Sequence, residues 1–455
     1  MTNPVDSAAA TPGLGVPPLT APVRPRKPSV TDRTLDSGLR VVAVRKPGVP
    51  LVELRLRAPF ASPRPERPAQ ASLLSDVMLT GTDRYDRAGL AAAVQALGGD
   101  LSVGVNSDRL LLSGSVLATA LRPMLDLVAD VLTGATYVPG EVETERARLV
   151  ERLTIARSRA QTIAHEALAR AMFGDHPYAH DLPQIGDVQA VTPAQLRRLH
   201  KSTVLPGGAT LVVVGDVTPG RAIAQVEAAL ADWTGAGRNT RMPKLPPITG
   251  GPVQLVDRPG SVQSSVRLGT AALRRTDDAY PALQLANLVF GGYFSSRWTE
   301  NLREDKGYTY GPHSRIEHDA LGSTLTLDAD VSTDVTAPSL LETEYELGRI
   351  STLPVTEAEV ESVRQYATGT LALSIATQAG LASTLSALLG NGVGVEWLSE
   401  HPRRLAKVTV EEVSAAAAEF FAPARFARVV VGDAATVAGP LARLTSVESV
   451  ARDGR

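Results

Sequence analysis

Arg303 and Tyr310 are the two residues best placed to do chemistry. They stand seven positions apart in GGYFSSRWTENLREDKGYTYG, residues 291–311. A guanidinium and a phenol both donate hydrogen bonds. Held on two rigid elements, they can converge on one acceptor, such as a peptide carbonyl. The elements that would hold them are legible. Ser295 and Ser296 suit a helix N-cap, and residues 297–306 suit a short helix. Lys306 fits the negative end of its dipole, and Gly307 fits a left-handed stop. Tyr308 and Tyr310 then open an alternating strand. A plainer reading has the same spacing: Arg303 pairs with Glu300 or Glu304 on a helix surface, and Tyr310 is an ordinary strand aromatic.

Composition narrows the function classes. The chain has 455 residues, 44% of them hydrophobic, which is ample for two or more packed domains. A net charge of -2 leaves no electrostatic footprint for nucleic acid or an acidic membrane. With no cysteine, disulfides, thiolate zinc sites and cysteine nucleophiles are excluded. No apolar run is long enough to span a bilayer. Residues 1–30 are rich in Pro, Ala and Thr and lack an apolar core after a basic start. They read as a disordered tail, not a secretion signal. The expected location is cytoplasmic.

The chain repeats itself. VTPAQLRRLHKSTVLPGGATLVVVGD, residues 191–216, matches VTVEEVSAAAAEFFAPARFARVVVGD, residues 408–433, at an offset of 217. Each has a Thr cap, a helix, a proline-containing loop and an apolar strand. Thr192-Pro193 puts proline at the first helical position, where its missing amide costs little. Upstream, a long helix begins at Pro139 and runs to about Arg170. Another begins near Pro354, where Thr356 and Glu359 have capping-box spacing. Strands start after Gly48 and Gly260. Leu110–Leu117 and Ser323–Val331 alternate like sheet strands with one covered face. The expected class is α+β, two tandem homologous domains with helices packed on a mostly antiparallel sheet. The expected divisions are 31–232, a Gly/Pro-rich linker at 233–252, and 253–450. Gly98-Gly99 and Gly291-Gly292 read as turns.

SSRWTENLREDKGYTY from Ser295, HPYAHDLPQIGDVQAVT from His176 and the two VVVGD strands together resemble the M16 metallopeptidases, the family of mitochondrial processing peptidase and insulin-degrading enzyme. The resemblance covers about residues 30–450. It implies that each half is an αβ roll and that two halves form a clam-like unit. It also implies a zinc motif, His-x-x-Glu-His, on a helix of the first half, plus a distal Glu. Two histidines one turn apart hold the metal, and the Glu activates its water. The matching helix here is AQASLLSDVMLTGTD. Counting back from Gly81-Thr82 places Ser72 and Asp76 at the histidine positions and Ser75 at the general base. Arg152 stands at the distal Glu position, where it would repel a cation. Glu145 matches the family's second acidic position.

The seven histidines, at 165, 176, 180, 200, 313, 318 and 401, offer no replacement. His176 and His180 flank Pro177 in a loop, His165 has no close His partner, and His313 and His318 lie five apart on a strand. The family includes heterodimers in which one subunit keeps the zinc motif and the other keeps an Arg/Tyr pair. The resemblance therefore implies the second kind of subunit, with no metal of its own. Its partner would be a homologous subunit carrying His-x-x-Glu-His and zinc. Its ligand would be a peptide, for processing or degradation, leader-peptide removal included. Arg303 and Tyr310 would grasp the substrate carbonyl. Peptide entry would require the two halves, or two subunits, to part, with hinge residues in 233–252. The alternatives are a non-enzymatic scaffold of the same fold and a peptide-binding protein.

Overall fold

The computed structural model describes residues 29–237 and 242–451. The expected tail, apart from Ser29 and Val30, and residues 238–241 of the expected linker lie outside the described residues. Ser29 and Val30 already belong to a strand.

Two six-stranded sheets organise the chain. The first contains β1 (Ser29–Thr34), β2 (Arg40–Arg45), β3 (Leu51–Pro59), β4 (Asp100–Val105), β5 (Arg109–Leu117) and β6 (Thr210–Gly215), in the order β1-β2-β6-β3-β5-β4. The second contains β7 (Val253–Asp257), β8 (Gln263–Ala272), β9 (His313–His318), β10 (Ser323–Ser332), β11 (Ala427–Gly432) and β12 (Val447–Val450), in the order β12-β7-β11-β8-β10-β9. Without the outermost β1 and β12, the two orders coincide. The repeated VVVGD segments become β6 and β11. Each is flanked on both sides and nearly wholly buried, which is why they read as unbroken apolar runs and do not alternate. β6 runs parallel to β2 and antiparallel to β3; β11 does the same with β7 and β8. The class is α+β.

The helix caps follow the sequence closely. Thr192 forms a capping box with Gln195, Thr356 with Glu359, and Thr409 with Glu412. The long first-half helix does not. It stops at Ser158, Arg159 is extended, and a second helix covers Ala160–Phe173. The break has a packing reason. The second helix turns away to bury Ile163, Leu168 and Met172 against Val256, Val429 and Val431 of the other half's sheet. The second half does the reciprocal thing. After Glu357–Ser374 the chain bends by 111° into Gln378–Gly390, which buries Leu381, Leu385 and Leu389 against Val42, Val44, Val212 and Val214. Gln378 Nε2 also donates to the carbonyls of Lys46 and Val49, at 2.7 and 2.9 Å. Each half thus covers the other's sheet. Parting the halves about the linker would expose both interfaces, at roughly 1.5–3 kcal/mol per large apolar side chain.

No single helix among the described residues is long and apolar enough to cross a membrane.

Candidate functional site

The segment carrying Arg303 is built as a rigid shelf. Its helix begins at Arg297, makes one α turn, and widens into π turns over Glu300–Asp305. The Lys306 amide reaches back five residues to the Asn301 carbonyl at 3.0 Å. Ser296 holds the cap position, but its hydroxyl donates to Thr299 Oγ1 at 2.9 Å and caps no amide. Gly307 takes the expected left-handed turn at φ 65°.

The shelf is pinned at several points. Trp298 is fully buried, stacks on Phe290, and donates to Thr343 Oγ1 at 3.1 Å. Asn301 donates to Glu342 and Glu346 at 3.0 and 2.9 Å, and Lys306 pairs with Glu342. Arg297 grips Glu359 with two donors, at 2.6 and 2.9 Å. Burial alone would raise the Glu359 carboxyl, but Arg297 and the Thr356 cap outweigh it and hold it down to about 2. Gly291-Gly292 is not a turn. It lies in a helical segment, Leu288–Gly292, where a Cβ on Gly291 would sit 2.8 Å from the Trp298 ring.

Tyr310 is not at a strand start either. β9 begins at His313, so Tyr310 stands in the connection, 84% exposed. Arg303 and Tyr310 nevertheless meet. The guanidinium carbon lies 4.7 Å from the Tyr310 ring centroid and 4.4 Å from that of Phe294, which is 61% exposed. Arg303 Nε also pairs with Glu304 at 3.2 Å, as the plainer reading anticipated. The two rings hold the guanidinium between them, and with Nε taken by Glu304 its terminal nitrogens remain for an acceptor. Phe294 was missed in the sequence, although an aromatic directly ahead of the two serines was its signal.

In the first half, the zinc-motif positions also converge, on something else. The helix Arg67–Val77 buries Leu73, Leu74 and Val77 and turns Asp76 toward the helix Pro139–Ser158. There Arg152 donates to Asp76 at 2.5 Å. Burial raises the Asp76 carboxyl above its ordinary value, against the pull of Arg152. Ser75 Oγ donates to the Ser72 carbonyl at 2.8 Å. Glu145 is buried and accepts from Arg87 and Arg148, at 2.8 and 2.7 Å. Arg87 and Arg297 occupy matching places in the two halves, each bonded to the long helix behind it. A metal needs free lone pairs, and a guanidinium has none. Ser72, Ser75, Asp76 and Arg152 therefore do not fit zinc.

The histidines are otherwise engaged or scattered. His200 bonds to Tyr137 Oη and the Leu132 carbonyl. His176 accepts from the Tyr178 amide, and His318 meets Ser323 and Tyr280. His401 stacks on Trp397 and meets Gln284. Burial, aided by Arg275, pushes His318 and His401 down to about 3. Among the described residues, no three His, Asp or Glu side chains are grouped to hold a metal ion.

Known proteins place this geometry. A family model described as insulinase, peptidase family M16, matches residues 65–184, and one described as the peptidase M16 inactive domain matches residues 190–366. An "uncharacterized zinc protease" of Streptomyces coelicolor is 28% identical over 297 residues, covering 63% of this chain and 64% of that protein. The chain thus spans slightly less than two thirds of that relative's length. A Mycobacterium leprae protein of the same description is 26% identical over 400 residues, 86% of this chain and 89% of its own. A "probable inactive metalloprotease" of Bacillus subtilis is 28% identical over 212 residues, 44% of this chain and 48% of its own. The fold matches the crystal structure of a peptidase M16 inactive domain from Pseudomonas fluorescens, with a TM-score of 0.81 at 22% identity over 89% of this chain and 98% of that one. A protease from Helicobacter pylori matches with a TM-score of 0.80 at 18% identity, covering 89% and 99%.

Proposed function

The chain belongs to the M16 peptidase family, and on that premise we propose that it is the zinc-free subunit of a heterodimeric metallopeptidase. It binds the substrate peptide. Arg303 and Tyr310 reach a partner subunit that carries His-x-x-Glu-His and the metal. Attack on the peptide bond is the partner's chemistry. This chain's share is to hydrogen-bond the scissile carbonyl and the oxyanion that it becomes, an interaction worth about 3 kcal/mol per donor in comparable sites.

One observation carries the reading: the two candidate sites have opposite fates. The zinc-motif positions are closed by an internal ion pair. At the Arg/Tyr pair, Tyr310 stands exposed beside a partly buried Arg303 on a heavily braced shelf. An exposed aromatic pair around a cation gains little for the fold of the free chain, yet it suits a surface that meets a ligand. That favours a peptidase subunit over a scaffold or a stand-alone peptide-binding protein. A cytoplasmic location and a leader-peptide substrate belong to the same proposal. Opening to admit peptide falls between subunits, because the exchanged helices tie the two halves of this chain together.

The test is reconstitution with a homologous subunit bearing the zinc motif, followed by a peptide-cleavage assay. The mixture should cleave, and this chain alone should not. Arg303→Ala should abolish most of the activity without weakening assembly. Cleavage by the chain alone, or full activity of the Arg303→Ala pair, would refute the assignment.

A further inference from the structure

Among the described residues, Arg67 has no ion-pair partner, and it lines a cavity that also touches Ser72. Residues 62–68 read SPRPERP. Three prolines fix φ at three of these positions, so Arg64 lies in a stiff loop that leads into Arg67, the first residue of the helix Arg67–Val77. Beside them opens a cavity of about 470 Å³ that also touches Ser72, Asn106, Ser107 and His180. Arg67 is half-buried, with Nε and Nη1 shut off from solvent and without a hydrogen-bond partner. Its guanidinium lies over the Phe60 ring, 5.4 Å from the centroid. Among the described residues, it forms no ion pair. Burial lowers its pKa, Arg64 lowers it further, and Glu66 opposes both.

The cavity also has carboxylates on its wall, Asp175 and Asp181. Asp181 accepts from Ser107 Oγ at 2.8 Å, and neither carboxylate pairs with Arg67. The neighbouring cavity, of about 450 Å³, makes the contrast. Its arginines are matched within the fold, Arg267 by Asp328 and Asp330, and Arg315 by Glu317 and Asp328. A guanidinium kept half-buried and unmatched is unfavourable for the free chain. A planar anion delivered from outside can reach the guanidinium at Nη2, which is not among its shut-off nitrogens, and supply a counter-charge.

We infer that this cavity binds a carboxylate of the peptide ligand, either its C-terminus or an acidic side chain, through Arg67. The inference rests on the proposed peptide-binding role and adds a substrate preference to it.

The test uses the full chain alone and a fluorescein-labelled hexapeptide of alanine and phenylalanine. Three forms are made: a C-terminal acid, a C-terminal amide, and an amide with one internal glutamate. Fluorescence anisotropy should show one acidic form binding about tenfold or more tighter than the neutral amide. Which form does so identifies the source of the carboxylate. Arg67→Met should erase that preference while keeping the thermal midpoint at or above that of the unaltered chain. Arg67→Lys should retain part of it. Equal binding of all three forms, no binding of any, or a preference that survives Arg67→Met overturns the inference. So does a lowered midpoint in Arg67→Met, because it makes Arg67 a structural residue. The Arg303 experiment reads cleavage by the assembled pair, whereas this one reads binding by the single chain. Either can fail without the other.

Discussion

The two halves share a strand order and a helix order, yet two sites at different places in that shared order went opposite ways. In the first half, the helix Arg67–Val77 and the long helix behind it meet through Asp76 and Arg152, two side chains that satisfy each other. In the second half, the shelf that matches the first-half helix opening at Arg87 is fastened from behind by Arg297, Trp298 and Asn301. In front it projects Phe294, Arg303 and Tyr310. The lesson is that a duplicated scaffold can keep its bracing in both copies while the side chains that bracing presents diverge. Arg87 and Arg297 show the shared bracing. The closed and open fronts show the divergence.

The comparison can be broken first at its common frame. Leu385→Ala and Leu168→Ala remove equivalent anchors of the two exchanged helices. Each should cost about 2–5 kcal/mol, read as a lowered urea midpoint, and the two losses should be similar. A large loss for one and none for the other would end the picture of reciprocal cover. Next comes the open front. Arg303→Ala should lower kcat of the reconstituted pair about 10²- to 10³-fold, with an unchanged unfolding midpoint. Phe294→Ala should act in the same direction but less, because it frees the guanidinium plane without removing the donors.

The bracing of the second half has a pH signature. Glu359 is held down to about 2 from an ordinary 4.5. A lowered carboxyl stabilises the fold above its unfolded pKa, and that contribution is lost as pH falls from 4.5 toward 2. With solvent screening of this partly exposed pair, the contribution is about 1–2 kcal/mol. Glu359→Gln should lose it at neutral pH and flatten the acid limb of a thermal-stability profile. The closed front should give the smallest effect. Arg152 is half-exposed, so Arg152→Leu should cost about 0–1 kcal/mol by chemical denaturation. A loss of several kcal/mol there would mean that the ion pair holds the first half together, and is not merely what filled a vacated site.

Much of this was legible from the residues. Thr192, Thr356 and Thr409 cap their helices because a hydroxyl three residues ahead of Gln or Glu is a local signal. The strands β5, β6, β10 and β11 announced themselves through alternation or unbroken apolar runs. Asp76 and Arg152 were singled out by the family resemblance, but their ion pair was not foreseen and comes from the structure. Other features had no local signature. Nothing near Arg159 tells the chain to leave its helix. The cause is a sheet more than 90 residues away, whose apolar face needs cover. Tyr308 and Tyr310 have good strand propensity, but β9 starts only where β10 offers a partner, Asp328 opposite His313.

The order of residues alone determined the duplication, the element types and the absence of a zinc-binding triad at residues 72–76 and 152, because periodicity, caps and ligand chemistry are read over a few positions. Tertiary structure decided which helix covers which sheet, that Phe294 meets Arg303, and that Arg67 has no ion-pair partner among the described residues. Those outcomes depend on distances between residues far apart in the chain, which are set only when the two cores close.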